Sequence, residues 1–125
     1  MNLSYLFIGL GGAAGAIIRV FLLRIFPASI YNFPIKILLV NIIGCLAIGI
    51  LTEVMAFYWS ASINMRHFLI QGFLGGFTTF SAFALEFGLL YEKGFSMTAI
   101  LYGILSVVLC ILFFFLGLRI VRIFV

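Results

Sequence analysis

Charge is scarce in this chain. Lys, Arg, Asp and Glu together make 8% of its 125 residues, where a soluble domain carries about 25%, so a water-exposed globule is excluded. Aspartate is missing altogether, and the acids are Glu53, Glu86 and Glu92. The single histidine, His67, stands at an expected helix start, and no nucleophile and base pair accompanies it, which argues against an enzyme. Two cysteines, Cys45 and Cys110, have neither paired spacing nor a nearby histidine, so a disulfide framework or metal cluster is not expected and plain packing is. The seven basic residues stand singly around helix ends rather than on one face, which leaves the net charge of +4 no nucleic-acid signature.

What fills the chain is apolar. Hydrophobic residues make 66% of it, with a mean hydropathy of +1.41. A hydrocarbon core roughly 30 Å thick takes about 20 such residues per crossing. Four crossings fit, over about residues 3–26, 35–59, 67–91 and 95–120. The reading is an all-α integral membrane protein, one domain over residues 1–125, multi-pass in the cell membrane. The first segment lacks a basic leading region, outruns a signal-peptide core of about 7–15 residues and retains Arg19 and Arg24 toward its end, so it is read as a span. The links are short. Pro27 and Pro34 bound the first, residues 60–66 form the second, and Glu92 to Gly94 form the third. Consecutive helices must therefore run antiparallel.

Arg66, Arg119 and Arg122 fall on the side of the termini, and Arg24, Lys36 and Lys93 on the other. Orientation follows the excess of Lys and Arg in short loops, so an even distribution predicts insertion both ways and an antiparallel, dual-topology dimer; a single orientation set by something else stays open. Gly11-xxx-Gly15 and Gly72-xxx-Gly76 match the small-xxx-small spacing that lets membrane helices approach closely, without saying which helices meet.

The third span carries the chain's most unusual stretch, Gly72-Phe-Leu-Gly75-Gly76-Phe-Thr78-Thr79-Phe80-Ser-Ala-Phe83. Lipid leaves no backbone group unpartnered, so helix-weakening residues at mid-depth point to a protein interior, an ion or a water-filled cavity. A break at about residues 75–79 is expected. It would free carbonyl oxygens, the ligands of a hard cation, and two breaks meeting at a dimer axis would enclose such an ion. Phe80 and Phe83 follow immediately, and phenyl edges are positive, so edges turned inward can solvate an anion without trapping it. Packing or lipid contact is the bland reading for both.

Other polar groups inside spans are functional hypotheses by default. Arg19 either lines an aqueous vestibule or pairs structurally, with helix-terminal carbonyls or with Glu86. Asn41 either glues helices together or donates to a passing anion. Thr98, Tyr102 and Ser106 recur on one face of the fourth helix, with Cys110 continuing the line; the face is a hydrogen-bonding wall or only back-bonding to the preceding turn.

These residues together resemble the Fluc, or CrcB, fluoride channel family. The resemblance runs over the whole length and is carried by Gly11-Gly12-Ala-Ala-Gly15-Ala-Ile-Ile-Arg19, Val40-Asn41-Ile-Ile-Gly44, Gly75-Gly76-Phe-Thr78-Thr79-Phe80-Ser81-Ala-Phe83, and Tyr102 with Ser106. It implies a dual-topology antiparallel dimer with two fluoride pores and a central structural Na⁺ at the helix breaks. By the same resemblance Asn41, Phe80, Phe83, Tyr102 and Ser106 line the pore, Arg19 belongs to the vestibule, and the backbone carbonyls of Gly75 and Thr78 ligate the Na⁺. Three positions depart from the family pattern: Lys36-Ile37 stands where Gly-Thr is usual, Ala82 replaces a threonine, and the hydroxyl line ends in Cys110 and Phe114.

The implied function is passive export of F⁻ from the cytoplasm, relieving fluoride toxicity, with fluoride, the lipid bilayer and an inverted second copy as partners. Two alternatives are kept. One is a small proton-coupled multidrug exporter, which needs a carboxylate that the first helix lacks. The other is a non-conducting partner subunit of a heterodimeric channel, which the lost hydroxyls keep open although Asn41 and both phenylalanines are present.

Overall fold

The computed structural model describes residues 3–26, 29–30 and 33–124. Pro27, the expected stop of the first span, lies outside them. Four helical runs are long and apolar enough to cross a membrane: Leu3–Ile25, Lys36–Phe57, Ile63–Glu92 and Ser96–Ile123. The chain is a multi-pass membrane protein.

In chain order the elements are α1 (Leu3–Ile25), a hairpin of β1 (Ser29–Ile30) and β2 (Phe33–Pro34), α2 (Lys36–Phe57), α3 (Ile63–Arg66), a π-helix (His67–Leu74), α4 (Gly75–Phe77), α5 (Phe80–Glu92) and α6 (Ser96–Ile123). The hairpin pairs Ser29 with Pro34 and Ile30 with Phe33. The third helical run begins at Ile63, ahead of the expected His67. Ser62 explains the difference: its Oγ caps the helix by accepting from the Met65 amide at 3.2 Å, and the Arg66 side chain folds back to donate to the Ala61 carbonyl. Between α5 and α6 the turn passes through Gly94 at φ 90°, a conformation that costs other residues Cβ strain.

The closest packing joins alternate helices rather than consecutive ones. α1 lies along the π-helix and α4, and their glycines set the distance. A Cβ on Gly11 would stand 2.9 Å from the Phe73 amide nitrogen, and one on Gly72 would stand 3.0 Å from the Gly11 Cα. One turn on, a Cβ on Gly15 would stand 2.9 Å from the Phe77 nitrogen, and one on Gly76 would stand 3.0 Å from the Gly12 Cα. The two small-xxx-small motifs thus face each other, and since both advance together the helices run parallel.

α2 and α6 form the second parallel pair. Gly49 and Gly117 are its contact point, a Cβ on Gly117 lying 2.8 Å from the Ile50 nitrogen. Farther along, Arg122 grips Glu53 with two nitrogens, Nη2 to Oε1 at 3.1 Å and Nε to Oε2 at 3.2 Å, and the Tyr58 hydroxyl donates to the Phe124 carbonyl at 2.7 Å. Leu38, Leu90, Ala99 and Tyr102 close a core between α2, α5 and α6. Elsewhere large apolar side chains such as Leu6, Phe21, Leu101 and Phe115 stay exposed, as lipid contact allows.

The Glu53 pair is asymmetric: the carboxylate side chain is 8% exposed and the Arg122 side chain 55%. Removing the guanidinium strands a buried charge, whereas removing the carboxylate leaves a cation that still reaches solvent. Arg122→Ala should therefore lower the thermal unfolding midpoint in detergent more than Glu53→Ala does; equal losses would contradict the asymmetry.

Candidate functional site

Helical dihedrals stop inside the third span at two residues. Gly75 is helical (φ −62°, ψ −37°), but Thr78 is extended at φ −84°, ψ 154° and Thr79 at φ −151°, ψ 119°. The backbone polar groups at this point have specific partners. The Thr78 hydroxyl donates to the Leu74 carbonyl at 3.0 Å, the same oxygen that receives the Thr78 amide. Thr79 caps α5, its Oγ1 accepting from the Ala82 amide at 3.1 Å.

Asn41 reaches across from α2 and binds the Thr79 backbone twice. The Thr79 amide donates to Oδ1 at 2.8 Å, and Nδ2 donates to the Thr79 carbonyl at 3.0 Å. The side chain thus replaces both hydrogen bonds that a continuing helix would give that residue. An amide carries two N–H donors, so the second Nδ2 hydrogen is not spent on Thr79.

Arg19 approaches from α1, on the other side. Its Nε donates to the Gly76 carbonyl at 3.1 Å. The last carbonyls of a helix have no intrahelical partner, which at the end of α4 applies to Gly75, Gly76 and Phe77, and the guanidinium meets the middle one. This is the helix-terminal pairing, and Arg19 does not line the groove described next.

A groove of about 420 Å³ opens between α2, the third span and α6. It brings together Asn41, Gly75, Thr78, Phe80, Phe83 and Ser106 from three spans, with Thr79, Cys45 and Cys110 also on its wall. The Phe80 and Phe83 ring centroids are 5.1 Å apart at 48°. Phe80 is 74% exposed, so its ring belongs to no core of this chain. Tyr102 stands behind the groove, fully buried, with its ring 5.1 Å from Phe83 and edge-on to Phe33 at 5.7 Å. The hydroxyls of Tyr102 and Ser106 are buried and make no hydrogen bond among the described residues. Proteins rarely leave such groups unsatisfied unless an ion, a water or a functional role accounts for them.

Sequence reasoning named most of these residues but missed the part played by Thr79. A hydroxyl residue directly before an apolar helical run is an N-cap signal, and Thr79 before Phe80-Ser-Ala-Phe83 carries it. The π winding of His67–Leu74 had no comparable signal.

A family model described as CrcB-like protein, Camphor Resistance (CrcB), matches residues 6–118. Similar proteins include the "Fluoride-specific ion channel FluC" of Rhizobium etli, 40% identical over 121 residues that make 94% of each chain. The "Fluoride-specific ion channel FluC 2" of Nitrobacter hamburgensis is 40% identical over 96% of this chain and 98% of its own. That of Rhizobium meliloti is 43% identical over 122 residues, 94% of each. With four apolar spans, a polar interruption in the third and full-length similarity in agreement, the chain belongs to the CrcB family.

Proposed function

We propose that this chain is a fluoride-selective channel that lets F⁻ leave the cytoplasm by passive electrodiffusion, and so relieves fluoride toxicity. One observation carries the reading: the buried hydroxyls of Tyr102 and Ser106, unpartnered among the described residues, beside the tilted ring pair of Phe80 and Phe83. An O–H donor that no protein group uses is available to a small, hard anion. Ring edges and the second Asn41 hydrogen add further weak donors. Several weak sites in sequence suit conduction, because an ion must be dehydrated without being held. HF enters cells uncharged and dissociates inside, and a negative-inside potential then drives F⁻ outward with about 2.3 kcal/mol per charge for each 100 mV. No bond is made or broken.

The pore in this proposal is shared with a second copy in inverted orientation. Its support is the exposed Phe80 ring, the even distribution of basic residues and a groove that one chain leaves open on one side. The interruption at Thr78 and Thr79 then lies at mid-membrane, against its symmetry mate. A structural Na⁺ fits there: the carbonyls of Gly75 and Thr78 lack intrahelical partners by position, and backbone carbonyl oxygens are among the ligands a hard cation takes. Those two carbonyls would hold it, and the bound charge would neutralise the oxygens brought together across the dimer axis.

The test is F⁻ efflux from liposomes holding the purified chain alone, started by a K⁺ ionophore and read by a fluoride electrode. Voltage-driven release without accompanying proton movement is the expected result; release no faster than from protein-free liposomes would refute the proposal for this chain as a homomer. Phe80→Ile, which removes a ring pair worth about 0.5–1.5 kcal/mol, should slow the flux by up to about tenfold.

A further inference from the structure

Two side chains in the groove have no part in the proposal so far. Cys45 follows Asn41 by one turn on α2, and Cys110 follows Ser106 by one turn on α6. Because α2 and α6 run parallel and in contact, the two i, i+4 steps are matched. Asn41 and Ser106 stand at one level of the groove wall, and the two thiols at the next. Both thiols are free and partly buried, both line the groove, and they stand on the two helices whose backbones meet at Gly49 and Gly117. Plain packing accounts for one buried cysteine at a time. It does not account for two at matched positions on neighbouring helices that share one cavity wall.

We infer that Cys45 and Cys110 form a two-coordinate site for a soft, thiophilic d¹⁰ cation such as Ag⁺, and that its occupation closes the ion path. Thiolates select soft metals, and such cations accept two sulfurs without further ligands. Among the described residues no cluster of three His, Cys, Asp or Glu is present, so metals that demand four ligands are not served. The hard structural cation proposed above would bind uncharged oxygens instead, so the two sites do not compete. On binding, each thiol gives up its proton to solvent and a metal–sulfur bond replaces each S–H bond; no electron is transferred. Two thiolates and one Ag⁺ leave the site with a net charge of −1, one helical turn from Asn41 and Ser106, where it narrows the groove and repels F⁻ from a passage that requires weak attraction.

The blocking step rests on the channel reading; the binding step does not, and the experiment separates them. Purified chain is titrated with Ag⁺ in chloride-free buffer, with binding followed by thiolate-to-metal ultraviolet absorption and by intact mass, and the same preparation is assayed for F⁻ efflux before and after addition. One Ag⁺ per chain is expected, with efflux stopped. Cys45→Ala and Cys110→Ala should each weaken binding more than about 100-fold, since loss even of a supporting outer-shell group costs 10–100-fold. Each variant's Ag⁺ inhibition is scored against its own starting flux. Two Ag⁺ per chain, with one retained in each single variant, would show independent thiols and overturn the site. So would absence of binding, and binding that leaves a robust flux intact would overturn the block. Absence of flux before any Ag⁺ is added counts against the channel reading alone.

Discussion

Replacing Asn41 by alanine should reduce F⁻ efflux by well over tenfold. The amide side chain satisfies both backbone groups of Thr79, in a place where bilayer offers no water to substitute. Each group left unpaired costs about 1–3 kcal/mol, and a factor of ten corresponds to about 1.4 kcal/mol, so losing both is enough to displace the interruption from its geometry. The rings of Phe80 and Phe83, which start α5 immediately afterwards, would move with it. Thermal unfolding in detergent measured beside the flux distinguishes two roles. If Asn41 braces the backbone, stability and flux fall together; if it serves only as a donor to the ion, flux falls while the unfolding midpoint stays. Unchanged flux would remove Asn41 from the site.

Gly15→Val is the second large effect, and it concerns assembly. The added Cβ would run into the Phe73 carbonyl oxygen and lie 2.9 Å from the Phe77 nitrogen and 3.0 Å from the Phe73 carbonyl carbon. All three are backbone atoms, which cannot swing aside as a side chain does. Overpacking typically costs about 1–3 kcal/mol and sometimes more; contact with the backbone of two successive turns of the third span places this change at the upper end. The variant should be lost from the monodisperse fraction in size-exclusion chromatography. Gly9→Ala is the matched control, because nothing lies within 4 Å of a Cβ there and alanine favours the helix by about 1 kcal/mol. Equal behaviour of the two variants would mean that close approach of α1 to the third span is not needed.

The four spans were legible because hydropathy over twenty residues is a strong signal, and the residues around the groove because polar groups stand out against so apolar a background. Which helices pair was not legible. Lipid-facing and buried positions are equally apolar in a membrane protein, so no amphipathic stripe points α1 at the π-helix or α2 at α6. The glycine motifs announced close packing, but only the coordinates join Gly11 and Gly15 to Gly72 and Gly76. Local chemistry was likewise underdetermined. Arg19 admitted a vestibule or a helix end and is found on the Gly76 carbonyl. The chain position of Asn41 gave no hint that it would clasp Thr79, because that contact spans α2 and the third span and depends on where the helix gives way. The sequence pattern placed that point at residues 75–79, biased by the glycines. Gly75 to Phe77 are helical because α1 packs against them, and the two threonines that follow, each holding its own hydroxyl bond, take the extended conformation.

The third span answers to two different sets of neighbours. Up to Phe77 it is clamped against α1 by glycine contacts, and from Phe83 onward the rings of Phe83 and Phe87, with Leu90, pack with α6 and α2. Thr78 and Thr79 thus form the joint between two half-assemblies, so damage should sort into two phenotypes by position. Lesions in the glycine contacts ahead of the joint would yield chains that fail quality control, and loss of the exposed Phe80 ring behind it would yield well-made chains that leave their hosts fluoride-sensitive.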